Sequence, residues 1–138
     1  PNARTVCADA REMPLQDASF NAAVAGFGIR NVPQPERALA ETFRVLRPGG
    51  VFVVVDFFKP TTWFARFLAG TYNRVMLPLV GGLVAGDASA YRYLADSMAA
   101  WTDREGFQSM CRNAGFAEVA GRELFPPVAS IVIARKAP

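Results

Sequence analysis

Phe20-Asn-Ala-Ala-Val-Ala-Gly-Phe-Gly-Ile-Arg-Asn-Val32 sets a short apolar run, Ala22 to Gly26, directly before a turn that ends in a charged and an amide side chain. Ligands of open α/β sheets sit in the crevice at the carboxyl ends of the strands, so Gly26 to Asn31 falls where chemistry is expected. Arg30 and Asn31 are the first candidate site residues. Downstream, Pro35 suits the first turn of a helix, and Leu39, Phe43 and Leu46 recur at helical spacing until Pro48-Gly49-Gly50 stops it. Val51 to Val55 is then a continuous β-branched and aromatic run, as expected of a central strand covered on both faces. Strand, helix and strand within about 35 residues make a right-handed βαβ crossover, which implies an α/β fold with a largely parallel sheet.

Outward from this unit, Arg4 to Ala8 reads as an earlier buried strand, punctuated by Asp9 and Pro14. Residues 61–101 form an aromatic and Met-rich helical insertion, read as a lid over the site. Thr102-Asp-Arg-Glu105 has capping-box spacing, and Phe107, Met110, Cys111 and Ala114 follow as an apolar helical stripe ending at Gly115. Phe116 to Leu124 and Val128 to Ala134 complete the chain as an antiparallel strand pair at one edge, joined around Pro126-Pro127.

A chain of 138 residues with 51% hydrophobic and 20% charged residues is one globular domain with a real core. The formal charge of +3 is modest and the arginines are scattered, which argues against nucleic-acid binding. The uncharged run Val75 to Gly86 is shorter than the roughly 20 residues that span a bilayer, and Pro78, Gly81 and Gly82 interrupt it. The amino end lacks signal-peptide order, so a cytoplasmic protein whose start has been lost is expected. Cys7, in the first predicted strand, and Cys111, in a predicted helix, are expected as reduced core residues. There is no histidine, so no metal site is expected and the commonest general base is missing.

Several pieces together carry a resemblance: Ala8-Asp-Ala-Arg-Glu-Met-Pro14, Asp17-Ala-Ser-Phe20, Phe27-Gly-Ile-Arg-Asn-Val32, Arg44-Val-Leu-Arg-Pro-Gly-Gly50, Asp56-Phe-Phe-Lys-Pro60 and Asp87-Ala-Ser-Ala-Tyr-Arg-Tyr-Leu94. With these the chain resembles the ubiquinone/menaquinone biosynthesis C-methyltransferases, class I enzymes that use S-adenosylmethionine to methylate a prenylated quinol ring. Leu-Arg-Pro-Gly-Gly is shared by many class I methyltransferases; Phe-Gly-Ile-Arg-Asn followed by Tyr-Arg-Tyr-Leu is the specific pair.

The resemblance implies a partial Rossmann-like fold over residues 1–138, mostly parallel with an antiparallel last strand. It lacks the family's first two strands, with their glycine-rich turn and ribose-binding acid, and residues 61–101 form the substrate-side insertion. Losing those strands strips Arg4 to Ala8 of a neighbour and turns Ala22 to Gly26 into a bare apolar edge, inviting self-association or strand swapping.

For the cofactor, S-adenosyl-L-methionine, the implied contacts are Asp9 and Ala10 at the adenine, with Gly26 and Phe27 at the next strand end. Asp9 has an alternative reading as a turn former bonded to its own backbone. Gly26 stands where the family often has serine, which leaves only backbone contact. For a small-molecule quinol substrate the implied residues are Arg30, Asn31, Asp56, Tyr72, Asp87 and Tyr91.

Arg30 and Asn31 are expected to look into a hollow beside the nucleoside, the guanidinium stabilising a phenolate without acting as an ordinary base. The proton acceptor is left among water, Asp56, Asp87 or a tyrosinate. Asp56 reads equally well as a structural partner of Lys59. Tyr91 is favoured over Tyr93 because its spacing to Leu94 and Met98 puts it on the apolar face. A greasy lid with Arg66, Arg74 and Arg92 kept wet suggests peripheral contact with anionic lipid. Two alternatives remain open: an inactive fragment that self-associates, and a methyltransferase for another acceptor such as a sterol or a tocopherol-like phenol.

Overall fold

The computed structural model describes residues 3–59, 88–124 and 129–138, without the side chains of residues 88–92 and 95. Its strands are β1 (Phe20–Gly26), β2 (Leu46–Asp56), β3 (Glu118–Glu123) and β4 (Ser130–Arg135), and its helices are α1 (Pro35–Val45), α2 (Ala88–Ala100) and α3 (Arg104–Asn113). A single 3-10 turn, Ile29–Asn31, follows β1. The strands form one sheet in the order β1-β2-β4-β3. β1 and β2 are parallel, with Val24 opposite Val53, while β4 runs antiparallel to both β2 and β3. The parallel half of the expected sheet is thus one strand pair, joined through α1.

Register decides which side chains form the core. Ala23, Phe52, Ala134 and Val119 line up across the four strands, as do Ala25, Val54 and Val132. These pack with Leu39 from α1 and Phe107 and Cys111 from α3 in one buried cluster. Truncating a fully buried Leu or Phe of this kind to Ala costs about 2–5 kcal/mol. On the opposite face Val24 is 75% exposed and Ile133 40% exposed. β1 stands at the sheet edge as expected, with no strand beyond it among the described residues.

Helix α1 begins at Pro35 but ends at Val45, and its buried stripe is Ala38, Leu39, Thr42 and Val45 rather than Leu39, Phe43 and Leu46. Leu46 is already extended and opens β2, which therefore runs well upstream of the expected Val51. Pro48 restricts Arg47, the residue before it, to extended backbone, so the chain continues as a strand once the helix has ended. Gly50 has to be glycine, since a Cβ there would lie 2.8 Å from the Arg47 carbonyl oxygen. Lys136, from the chain's last residues, donates to the carbonyls of Phe43 and Leu46 at 3.0 and 2.9 Å. It places a cation at the negative end of α1 and over the Phe43 ring.

The cap of α3 is shifted by one residue. Asp103, not Thr102, accepts from the Gly106 N–H at 2.7 Å. The Thr102 carbonyl is instead engaged by the Lys59 N–H at 3.1 Å. Gly115 ends the helix as expected, at φ +107°, with its α-carbon facing the Phe43 ring too closely for a side chain.

Two sequence expectations fail at the amino end. Arg4 to Ala8 is not a strand, and the first local pairing is an isolated Asp9–Glu12 bridge. A strand exists only through its ladder, and among the described residues nothing pairs with this segment. Cys7 is consequently exposed rather than part of the core, while Cys111 is buried as expected. Burial pushes the Cys111 thiol up to about 12. The antiparallel pair β3–β4 is as read from sequence, and of the insertion over 61–101 the described helical part is α2.

Candidate active site at the carboxyl ends of β1 and β2

Beyond Gly26 the chain turns sharply. The Phe27 N–H still bonds to Val55 O at 2.8 Å, so the ladder runs one residue past β1, but Phe27 itself sits at φ +54°. A bulky residue in the left-handed region is strained and is held there only by its surroundings. Here the Phe27 ring packs 4.9 Å from Phe57, and the Phe27 carbonyl accepts from Arg30 Nη1 at 2.8 Å. The backward turn brings Arg30 over the end of β2.

Arg30 and Asp56 form a buried ion pair. Nη1 meets Asp56 Oδ1 at 2.5 Å, and the two side chains are 6% and 0% exposed. Asp56 also accepts from the Phe57 N–H at 2.8 Å and from the Arg30 N–H at 3.4 Å. The guanidinium lies 5.3 Å above the Phe57 ring, and its Nε donates to Ser97 Oγ at 3.3 Å. Next to it, Asn31 is exposed and its Oδ1 accepts from the Tyr93 hydroxyl at 3.1 Å. Asp56 therefore pairs with Arg30 and not with Lys59.

Beside β1 lies a largely apolar hollow of about 550 Å³, lined among others by Ala10, Met13, Gly26, Gly28 and Ile29. It reaches the turn, yet neither Arg30 nor Asn31 lines it. The expectation that both look into this hollow is corrected. Arg30 is drawn behind the turn by the carboxylate of Asp56, and Asn31 is held by α2. A Cβ placed on Gly26 would meet no atom within 4 Å, so the backbone at this strand end is open to a ligand. Ala10 and Gly26 both line the hollow.

Asp9 is not among the lining residues. Its side chain, 48% exposed, is held by Arg11 at 2.6 Å and accepts from the Arg11 backbone N–H at 2.8 Å, the turn-forming arrangement. The Arg11 side chain, then its backbone N–H, hold the Asp9 carboxyl down at about 2. The loop that carries Ala10 is fastened to α1 by Glu41 and Arg44. Glu41 accepts from the Met13 N–H at 2.8 Å, and Arg44 donates to the Met13 and Leu15 carbonyls at 3.0 and 2.8 Å. The Arg44 guanidinium, with Met13 second, holds Glu41 at about 2.

Of the residues singled out from sequence, the structure brings Gly26, Phe27, Arg30, Asn31 and Asp56 together and sets Ala10 across the hollow. Tyr72 and Asp87 lie outside the described residues; Tyr91 is in α2, its side chain outside them. Sequence reasoning placed Tyr93 second to Tyr91 and missed Ser97 and Phe57. Tyr93 and Ser97 were findable as a pair, since they are four apart on one helix and so share a face. Phe57 was hidden by reading Asp56 as the functional member of its motif.

The fold and the strand-end site define a class. Solved structures with the same fold include an S-adenosylmethionine-dependent methyltransferase from Thermotoga maritima, at 22% identity and TM-score 0.61, covering 92% of this chain and 61% of that one. The [4+2]-cyclase SpnF, at 19% identity and TM-score 0.66, covers 96% of this chain and 55% of its own. A cyclase in such company shows that the fold leaves the reaction open. Residues 2–136 match the ubiE/COQ5 methyltransferase family, and the chain belongs to that family.

Among curated relatives, a demethylmenaquinone methyltransferase of Clavibacter sepedonicus is 43% identical over 119 residues, covering 86% of this chain and 49% of the relative. The mitochondrial 2-methoxy-6-polyprenyl-1,4-benzoquinol methylase of Danio rerio is 42% identical over 114 residues, covering 83% and 35%. A ubiquinone/menaquinone biosynthesis C-methyltransferase of Rickettsia prowazekii is 36% identical over 135 residues, covering 98% and 54%. The chain spans about half the length of most of these relatives.

Proposed function

We propose that this chain supplies the acceptor-side part of an S-adenosylmethionine-dependent C-methyltransferase acting on a prenylated quinol precursor. The observation that carries the reading is convergence. The Phe27–Asn31 turn, Asp56 and the Tyr-Arg-Tyr-Leu helix, far apart in sequence, meet at the carboxyl ends of two parallel strands. Bound S-adenosylmethionine supplies an electrophilic methyl group on a sulfonium. Ala10, Gly26 and Phe27 border the nucleoside edge. Asn31, exposed at the turn, orients the quinol oxygen so that the neighbouring ring carbon faces the methyl group, and proximity lowers the barrier.

Asp56 offsets most of the Arg30 charge locally, so the main task of Arg30 is to hold Asn31 and the turn in place; its field on a phenolate is secondary. Tyr72, Asp87 and Tyr91 are the further proposed substrate contacts. Among the described residues no helix is long and apolar enough to cross a membrane. Contact with the membrane surface through the 61–101 insertion is part of the proposal, and flotation with anionic vesicles tests it: no retention removes it. A polypeptide carrying this chain, given methyl-labelled S-adenosylmethionine and a demethylated quinol, is expected to yield a labelled C-methyl product by mass spectrometry. Label found only on oxygen, or on none of the quinols tried, refutes the reading.

One observation favours a second reading. Among the described residues no strand pairs beyond β1, and its apolar Val24 is exposed, which suits a fragment that self-associates. Calorimetry of the 138-residue chain with S-adenosylmethionine separates the two: binding excludes an inert fragment, whereas concentration-dependent association without binding supports it.

A further inference from the structure

We propose that Tyr93 is a positioning residue that fixes the side-chain amide of Asn31 as a hydrogen-bond donor to a phenolic oxygen, and so couples the docking of α2 to ligand binding. This deepens the reading above and rests on it for the class of ligand. An asparagine amide carries an acceptor oxygen and a two-proton donor nitrogen, and rotation by half a turn exchanges them. The Tyr93 hydroxyl donates to Oδ1 at 3.1 Å, so the oxygen faces Tyr93 with one lone pair engaged, and the nitrogen on the other branch of the amide is the donor presented to a ligand. A phenol or phenolate oxygen accepts such a bond.

The rest of the arrangement makes this orientation stable. The residue before Asn31 is Arg30, held by Asp56, Phe27 O and Ser97 Oγ, so the backbone that carries the amide has little freedom. Ser97 lies one helical turn beyond Tyr93, so adjacent residues of the turn each bond to one face of α2. Tyr93 is 61% exposed, so its hydroxyl is not there to satisfy a buried group. The orienting contact is the reason to place it over Asn31.

The test uses the side-chain amide signals of Asn31 in the isotope-labelled chain, titrated without air with 1,4-naphthohydroquinone. In the unaltered chain the Asn31 amide pair is expected to shift on titration. Tyr93→Phe is expected to weaken the fitted affinity about 3–10-fold, the size of one oriented hydrogen bond, with the melting temperature unchanged. Asn31→Asp keeps an acceptor for Tyr93 but loses the donor, and is expected to abolish binding. Glu118→Gln, in β3 at the far edge of the sheet, is expected to leave affinity within about twofold.

Asn31 signals that do not move in the unaltered chain overturn the proposal, and so does a Tyr93→Phe affinity within about twofold of the original. A joint fall of affinity and melting temperature in Tyr93→Phe assigns Tyr93 to structure and likewise overturns it. No S-adenosylmethionine enters the titration, so failure of the methyl-donor reading shows in calorimetry and not here.

Discussion

Replacing Asp56 with leucine tests how this site is held together. Asp56 is fully buried and its partner Arg30 is 6% exposed, so Asp56→Leu strands a guanidinium in the protein interior. Breaking a buried pair in this way costs about 3–5 kcal/mol. For a chain of 138 residues that is a fall of about 10–17 °C in the melting temperature. Arg30→Met should sit at the low end, because the carboxylate keeps its bond from the Phe57 N–H at 2.8 Å.

The double variant Arg30→Met/Asp56→Leu leaves no charge orphaned. Its remaining cost is the unpaired Phe57 and Arg30 N–H groups, which Asp56→Leu leaves as well, and the Phe27 carbonyl, about 1–3 kcal/mol for each that stays buried. It should therefore be more stable than Asp56→Leu alone, a reversal that independent contributions cannot produce. Urea unfolding followed by circular dichroism and by tryptophan fluorescence measures all four proteins. A double variant at least as unstable as the sum of the singles refutes the pair as a coupled unit.

Iodoacetamide should label exposed Cys7 in the native chain and reach Cys111, whose thiol burial raises to about 12, only on unfolding; peptide mass mapping reads both sites. Glu41 lies at about 2 instead of 4.5, so the stability it contributes is complete above about 4.5 and is lost as pH falls toward 2. Glu41→Gln should flatten acid unfolding across that window and loosen the Met13–Asp17 loop, seen as faster amide exchange at Met13. Gly115→Ala, with φ at +107° and the Phe43 ring 3.0 Å from the new Cβ, should destabilise by about 1–3 kcal/mol in the same urea assay. Val24→Lys at the open edge should reduce any concentration-dependent association in sedimentation while leaving stability within about 0.5 kcal/mol.

Much of the fold was legible from local chemistry. Pro35, Gly115 and the β-branched run at Val51–Val55 act through their own backbone preferences, and each stands where sequence put it. Errors fell where a distant group competes. Thr102 lost the cap of α3 because Lys59 holds its carbonyl, and Arg4 to Ala8 failed as a strand because a ladder needs a neighbour that periodicity cannot supply. The site was half legible. Arg30, Asn31 and Asp56 were all named, but the choice between Lys59 and Arg30 as the partner of Asp56 depended on a turn through a left-handed Phe27.

What the amino-acid order determined alone is the family, the strand–helix–strand unit and the residue types gathered at its strand ends. These depend on propensity and spacing, which act between neighbours along the chain. Only the tertiary structure decided that the arginine is spent on a buried carboxylate, that Asn31 remains outside the hollow, and that Tyr93 and Ser97 bond the turn from α2. The first outcome follows from pairing two charges that would be costly to bury singly, 26 residues apart, and the Asn31–Tyr93 contact is a neutral surface hydrogen bond across 62 residues, separations over which sequence pattern carries no geometry.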